Sequence, residues 1–303
     1  MERNTGTRDL TTAPAADAPV KKRGQLKLIW LRFRKNKRAM FGLYLMALIV
    51  LTILSTAVLI DYHQNVIKQN MSIKLAAPSA EHWFGTDQYG RDLFARIVFG
   101  GAVSLSIGFS TVMFSLVLGT VVGAIAGYFG GWIDNLLMRI TDIFLSIPSL
   151  ILAVAIVAAL GSAPFNLFIA MGVSTTPRFV RIVRSAVLQI KDQEYIESAR
   201  AYGSSHIRVI YRHIIPNAIG PIIVQATLNM AQAILTIASL GFVGLGIPSP
   251  MPEWGTILAE NKGNMRYYPH LVIIPSLAIV IAVMSLNFIG DGLRDALDPR
   301  LKN

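Results

Sequence analysis

The chain contains no cysteine, so disulfides, thiolate catalysis and Cys-ligated zinc or iron–sulfur sites are excluded. Charge is scarce too: Asp, Glu, Lys and Arg make up 15% of 303 residues, where soluble domains run near a quarter. Only five histidines occur, and His63, His82, His206, His213 and His270 form no H-E-x-x-H or paired metal-ligand spacing. What fills the chain instead is apolar: 53% hydrophobic residues and a mean hydropathy of +0.52. These residues come in long uncharged runs, which identifies an integral membrane protein of all-α class.

A bilayer core needs about 20 apolar residues per helix. Residues 39–60 supply one span, ending at Asp61. A second lies near 100–128, before Gly130-Gly131 and Asp134, and a third runs from Leu136 to Leu160, closed by Gly161-Ser162-Ala163-Pro164. The fourth, 165–185, is free of charge only over 165–177. The fifth lies within 214–252, between Pro216 and Pro248, and the sixth covers 271–290. Six transmembrane helices are therefore expected.

The excess of Lys and Arg sets the orientation. With a cytoplasmic N-terminus, 22 of the 28 basic residues fall on inner segments and 6 on outer ones. Both termini are expected in the cytoplasm. The resulting segments are a basic tail (1–38, its first 20 residues disordered), a first helix (39–60), an external loop (61–99), a five-helix core (100–290) and a C-terminal tail (291–303). The net charge of +11 then has a membrane explanation, as topology signal and headgroup contact, and calls for no nucleic acid.

Gly85-Thr86-Asp87-Gln88-Tyr89-Gly90-Arg91-Asp92 has the glycine spacing of a phosphate-binding loop but not its chemistry. Arg91 stands for the lysine, Asp92 for the metal-binding hydroxyl, and two carboxylates would repel phosphate. In the fifth span, Gln225, Asn229, Gln232, Thr236 and Ser239 share one helix face by their 4, 3, 4, 3 spacing. Amides are costly in lipid, so this face meets protein or water, either as helix–helix hydrogen bonding or as the wall of a translocation path. Gly119, Gly123 and Gly127 form a small-xxx-small series for close helix approach. Arg139 and Asp142 are expected to pair within one helix, and Arg178, Arg181 and Arg184 to snorkel to headgroups.

The loop 186–216 is built differently. Glu194 to Tyr202 reads as a short helix, Gly203 as the left-handed residue after its end, and about 205–214 as a second short helix stopped by Pro216. Helix–glycine–helix makes either a rigid knob able to pass force to a partner or a loop lying passively on the membrane.

Glu197-Ser198-Ala199-Arg200-Ala201-Tyr202-Gly203, followed by Ile214-Ile215-Pro216-Asn217, resembles the "EAA" loop of ABC-importer permeases, with Ser198 for an alanine and Ile215 for a leucine. His82 to Asp87 with Gly90-Arg91-Asp92 and Arg96 is similar to the signature of the second permease subunit in dipeptide, oligopeptide and nickel importers. Leu240 to Gly246 with Trp254-Gly255, and Gly290 to Pro299, resemble the same family, so the likeness runs from about residue 28 to the end. It implies the type I ABC importer permease (MetI-like) fold and a transport subunit rather than an enzyme. It implies no cofactor on this chain, with ATP and Mg on partner ATPases. The partners would be a homologous permease, two ATP-binding subunits, an extracytoplasmic substrate-binding protein and a peptide substrate, in the bacterial cell membrane. Glu197, Ala199, Arg200 and Gly203 would form the ATPase-coupling face, and Gly85, Thr86, Asp87, Gly90, Arg91 and Asp92 an external-loop motif. A nickel or metallophore importer is the alternative within this architecture. A proton-coupled carrier would need an acid near mid-membrane, for which Asp142 is the nearest candidate.

Overall fold

The computed structural model describes residues 25–297, and the regular secondary structure among them is helical. The expected disordered tail over 1–20 and the final residues 298–303 lie outside these. Helices α1 (Gln25–Lys35) and α2 (Lys37–Leu59) meet at Asn36. Its side-chain oxygen accepts from the amides of Arg38 and Ala39 at 3.1 and 3.2 Å, which starts the second helix. Its amide nitrogen donates to Asp295 at 3.0 Å, near the other end of the described chain.

The bundle continues with α3 (Leu93–Phe129), α4 (Gly131–Ser146), α5 (Ser149–Leu160) and α6 (Pro164–Ile190). Two short helices, α7 (Glu194–Ala201) and α8 (His206–Val209), precede α9 (Ile215–Phe242); α10 (Trp254–Asn261) and α11 (His270–Leu297) complete it. One side of the bundle carries α1, the loop 186–216 and the end of α11, since a Cβ on Gly220 would lie 3.9 Å from Leu297. The opposite side carries residues 61–92 and α10.

The glycine series on α3 performs the packing expected of it. A Cβ on Gly119 would collide with Phe179 of α6, one on Gly123 would lie 2.6 Å from the Val180 carbonyl, and one on Gly127 2.9 Å from Val187. Backbone-to-backbone contact of this kind holds helices together in lipid, where apolar burial gives little driving force.

Two expectations about helix continuity are corrected. The third span is not one helix: α4 and α5 meet at an angle of 86° across Ile147-Pro148. Proline lacks the amide that would continue the ladder, and it disfavours helical geometry at Ile147. Conversely, Pro216 does not stop the second short helix. A π-helical stretch, Ile210–Ile214, carries the chain from α8 into α9, and Pro216 sits in the first turn of α9. The wider π-helical turn before it accommodates the ring, although Pro216 has no amide to continue the ladder.

By length and composition, four helical runs can cross a membrane: Lys37–Thr56, Leu93–Phe129, His206–Phe242 and His270–Leu297. The bent pair α4/α5 makes a fifth. The remaining member of the expected six, α6, has 27 residues but carries Arg178, Arg181 and Arg184 in its second half. These arginines do not reach out alone. Arg184 donates to both Asp134 oxygens at 2.5 and 2.6 Å, and Arg181 to Asp142 at 2.7 Å. Asp142 therefore pairs across to α6 rather than with Arg139, and the expected snorkelling of Arg181 and Arg184 is replaced by ion pairs that clip α4 onto α6. Asp134 and Asp142 lie two turns apart on α4, and the arginines they meet are less than one turn apart on α6.

Candidate functional site

The knob begins where α7 follows Gln193, with Glu194 and Glu197 in its first turn, favourably placed at the positive end of the helix. Ile196, Val209 and Ile214 are fully buried among Ala124 and Tyr128 of α3 and Val183 and Val187 of α6. The loop is thus seated on the bundle by its own apolar side chains. Between α7 and α8 the chain turns at Gly203, with φ +77°, and the amides of Gly203 and Ser204 close the helix end on the carbonyls of Arg200 and Ala199 at 2.9 and 3.1 Å.

Of the expected coupling residues, Glu197, Arg200 and Gly203 are exposed and Ala199 is half-buried. Around them stand three large side chains with no comparable cover: Tyr202 at 91%, Ile207 at 81% and Tyr211 at 77% exposure. A shallow hollow beside them is lined by Ser205, Ile207, Arg208, Tyr211 and Arg212. These apolar anchors in a basic rim were missed from sequence, although Ile207 and Tyr211, four apart on a short helix outside the apolar spans, are the signal that marks them.

On the opposite side, the external-loop residues form one buried network. Asp87 accepts from the amides of Tyr89 and Arg91 at 2.9 and 3.0 Å and from Arg91 Nε at 2.7 Å. Arg91 and Arg96 both donate to one oxygen of Glu260, at 2.7 and 2.9 Å, and neither guanidinium is exposed. Arg96 also reaches the carbonyls of Val66 and Pro250 at 3.2 and 3.3 Å. Thr86 bonds the Ile73 carbonyl and accepts from the Ala76 amide. Asp92 caps α3 through the Ala95 amide at 2.8 Å and meets His82 Nδ1 at 2.8 Å. Gly85 and Gly90 have positive φ, and a Cβ on Gly90 would collide with Asn70. Residues 61–92 are in this way bolted to the start of α3 and to α10.

Glu260 was not foreseen, nor was Glu253. The Glu253 carboxylate is fully buried at the start of α10, accepting from Ser104 at 3.0 Å and from the amides of Gly255 and Thr256 at 2.9 Å each. Burial pushes its pKa above the ordinary carboxylate range, against these hydrogen bonds.

The polar stripe of α9 is split by its surroundings. Gln232 and Ser239 are exposed, Gln225 and Thr236 half-buried, and Asn229 buried with its amide nitrogen unpartnered among the described residues. Thr236 and Ser239 donate to the carbonyls of Gln232 and Leu235 at 2.9 and 2.7 Å. The structure therefore does not bring the five together in one environment.

The described residues form an apolar helical bundle with a helix–glycine–helix knob and a bolted loop on opposite sides, the arrangement that the resemblance to ABC-importer permeases implies. The chain belongs to the family of binding-protein-dependent transport system inner membrane components, which matches residues 119–303; residues 24–78 match the N-terminal TM domain of oligopeptide transport permease C. The chain is 46% identical over 272 residues to the dipeptide transport system permease protein DppC of Alkalihalophilus pseudofirmus, covering 90% of this chain and 89% of that one. It is 44% identical over 226 residues to the glutathione transport system permease protein GsiD of Pectobacterium atrosepticum, covering 75% of each. Among solved structures, a chain of the inward-facing MetNI methionine ABC transporter superposes with a TM-score of 0.56 at 24% identity, over 67% of this chain and 96% of its own. A chain of an amino acid ABC transporter gives 0.52 at 15% identity, over 66% and 94%. These two likenesses establish the fold. The family implies ATPase and binding-protein partners and an inner-membrane location.

Proposed function

We propose that this chain forms one half of the pore of an importer for short peptides, paired with a homologous permease and driven by two cytosolic ATPases. The observation that carries the reading is the continuity of the knob with the path helix. His206–Phe242 is one helical run of 37 residues, with the exposed Ile207 and Tyr211 at one end and the polar stripe further along. A partner that shifts the knob therefore shifts α9 as a lever about 55 Å long. ATP bound on the partners, with Mg, need favour the outward state by only about 5.5 kcal/mol to move the equilibrium from 1:99 to 99:1.

In this reading Glu197, Ala199, Arg200 and Gly203 sit in an ATPase cleft, with Tyr202, Ile207 and Tyr211 as its apolar anchors. Gln225, Asn229, Gln232, Thr236 and Ser239 offer amides and hydroxyls to a peptide backbone along the path. The loop containing Gly85, Thr86, Asp87, Gly90, Arg91 and Asp92 gives the external binding protein a rigid landing surface. The knob side faces the cytoplasm, together with both termini, because most of the Lys and Arg lie there. This chain binds no cofactor of its own. Short peptides are favoured as substrate by the relatives, one named for dipeptides and one for glutathione, a tripeptide.

The test is ATP-dependent uptake of labelled di-, tri- and pentapeptides and glutathione in cells with and without the gene, with nickel as competitor. Loss of peptide uptake that peptides compete and nickel does not is the expected result. Unchanged uptake of all four in cells without redundant systems would overturn the peptide assignment.

A further inference from the structure

The angle between α7 and α8 has no support at the bend itself. Nothing lies within 4 Å of where a Cβ on Gly203 would point, and Tyr202 beside it is almost fully exposed. Buried Ile196 and Val209 seat each helix, but each sits on its own side of the turn. A polar contact common to both helices is Tyr128, in the last turn of α3 and itself only 7% exposed. The Arg200 guanidinium, from the end of α7, lies over the Tyr128 ring at 4.8 Å from its centre. The Tyr128 hydroxyl and Nδ1 of His206, the first residue of α8, share a hydrogen bond of 2.8 Å. The His206 ring also meets Tyr128 edge-on at 5.6 Å and packs 5.7 Å from Phe129. One residue of the bundle thus grips the chain three residues before Gly203 and three residues after it.

We propose that Tyr128 is a positioning residue for ATPase coupling: its ring and hydroxyl clasp the two helices flanking Gly203 and hold the knob at a set angle to the membrane helices. The idea rests on the knob being the ATPase contact, and it assigns the rigidity of that contact to a side chain outside the loop. A cation over an aromatic face and a partly buried hydroxyl-to-imidazole bond are separate interactions, so the clasp can be dismantled one arm at a time. Tyr128→Phe keeps the ring for Arg200 and removes the bond to His206; Tyr128→Leu removes both and keeps most of the apolar volume.

The absence of cysteine makes the geometry directly measurable. Spin labels at Glu194→Cys and Arg208→Cys, both exposed, report the α7–α8 distance in the assembled importer with cysteine-free partners. The wild-type distance distribution is expected to be narrow, broader in Tyr128→Phe and broadest in Tyr128→Leu. In proteoliposomes with binding protein and labelled dialanine or glutathione, the peptide carried per ATP hydrolysed is expected to fall roughly threefold and roughly tenfold respectively. His206→Phe, which keeps the ring and has no nitrogen, and the Tyr128→Phe/His206→Phe pair should each fall by the same factor as Tyr128→Phe, because all three lose the same single bond. An unchanged distance distribution in Tyr128→Leu overturns the clasp. A broadened distribution with an unchanged transport ratio overturns its role in coupling. A Tyr202→Ala/Ile207→Ala chain separates the two ideas: normal ATPase assembly and coupling in that variant sinks the docking reading itself.

Discussion

Glu260→Gln tests the bolt on the α10 side. In the native chain Arg91, Arg96 and Asp87 have no exposed side-chain surface and Glu260 has 12%, so two positive and two negative charges balance out of water. One oxygen of Glu260 accepts from both guanidiniums, at 2.7 and 2.9 Å. Glutamine keeps the shape and one acceptor but leaves a net positive charge among buried groups. Removing one partner of a buried pair costs about 3–5 kcal/mol, chiefly because the remaining charge is uncompensated. That corresponds to a fall in Tm of about 5–15 °C, read by tryptophan fluorescence of the purified chain in nanodiscs. Trp254 is a suitable reporter, being buried with its indole donating to the Ile97 carbonyl at 2.8 Å. Adding Arg96→Met restores equal numbers of buried positive and negative charges, so the double variant is expected to be more stable than Glu260→Gln alone. A Tm within about 2 °C of wild type for Glu260→Gln would refute the reasoning, as would further destabilisation by Arg96→Met.

Gly203→Val is expected to uncouple ATP hydrolysis from uptake while the importer still assembles, since a branched residue resists φ +77° although space is open around it; normal uptake per ATP would contradict this. Gly123→Ala should destabilise the chain by about 1–3 kcal/mol by forcing α3 from α6, and an unaltered Tm would count against that contact. Because burial raises the Glu253 pKa, the folded chain holds a proton more tightly than the unfolded chain at pH between the two values. That contribution to stability is complete below the unfolded-state value and is lost as pH rises through the folded-state value. As pH rises from the unfolded-state value through the folded-state value, Tm of Glu253→Gln should therefore decline less than that of wild type; parallel profiles would remove Glu253 as the cause.

Much of the molecule was readable along the chain because lipid imposes one-dimensional rules. Uncharged runs of the right length became α2, α3, α9 and α11, since an unpaired backbone in hydrocarbon leaves helix as the choice. The small-residue spacing on α3 announced its contact with α6, and Gly203 announced the bend of the knob. Such features depend on local geometry or on a period within one segment, and neighbours cannot easily override them.

Pairing was not readable in the same way. Asp142 has Arg139 one turn away, yet it bonds Arg181 of α6, 39 residues on. Glu260 looked like an ordinary loop acid until the bundle set it against Arg91 and Arg96, 169 and 164 residues earlier. The five polar residues of α9 share a face by periodicity, but their neighbours bury Asn229 and leave Gln232 exposed. Composition and spacing decide whether a segment can live in a membrane and which of its faces is polar. Which charge meets which, and what covers a face, is a property of segments far apart in the chain, set only when close packing brings their backbones together.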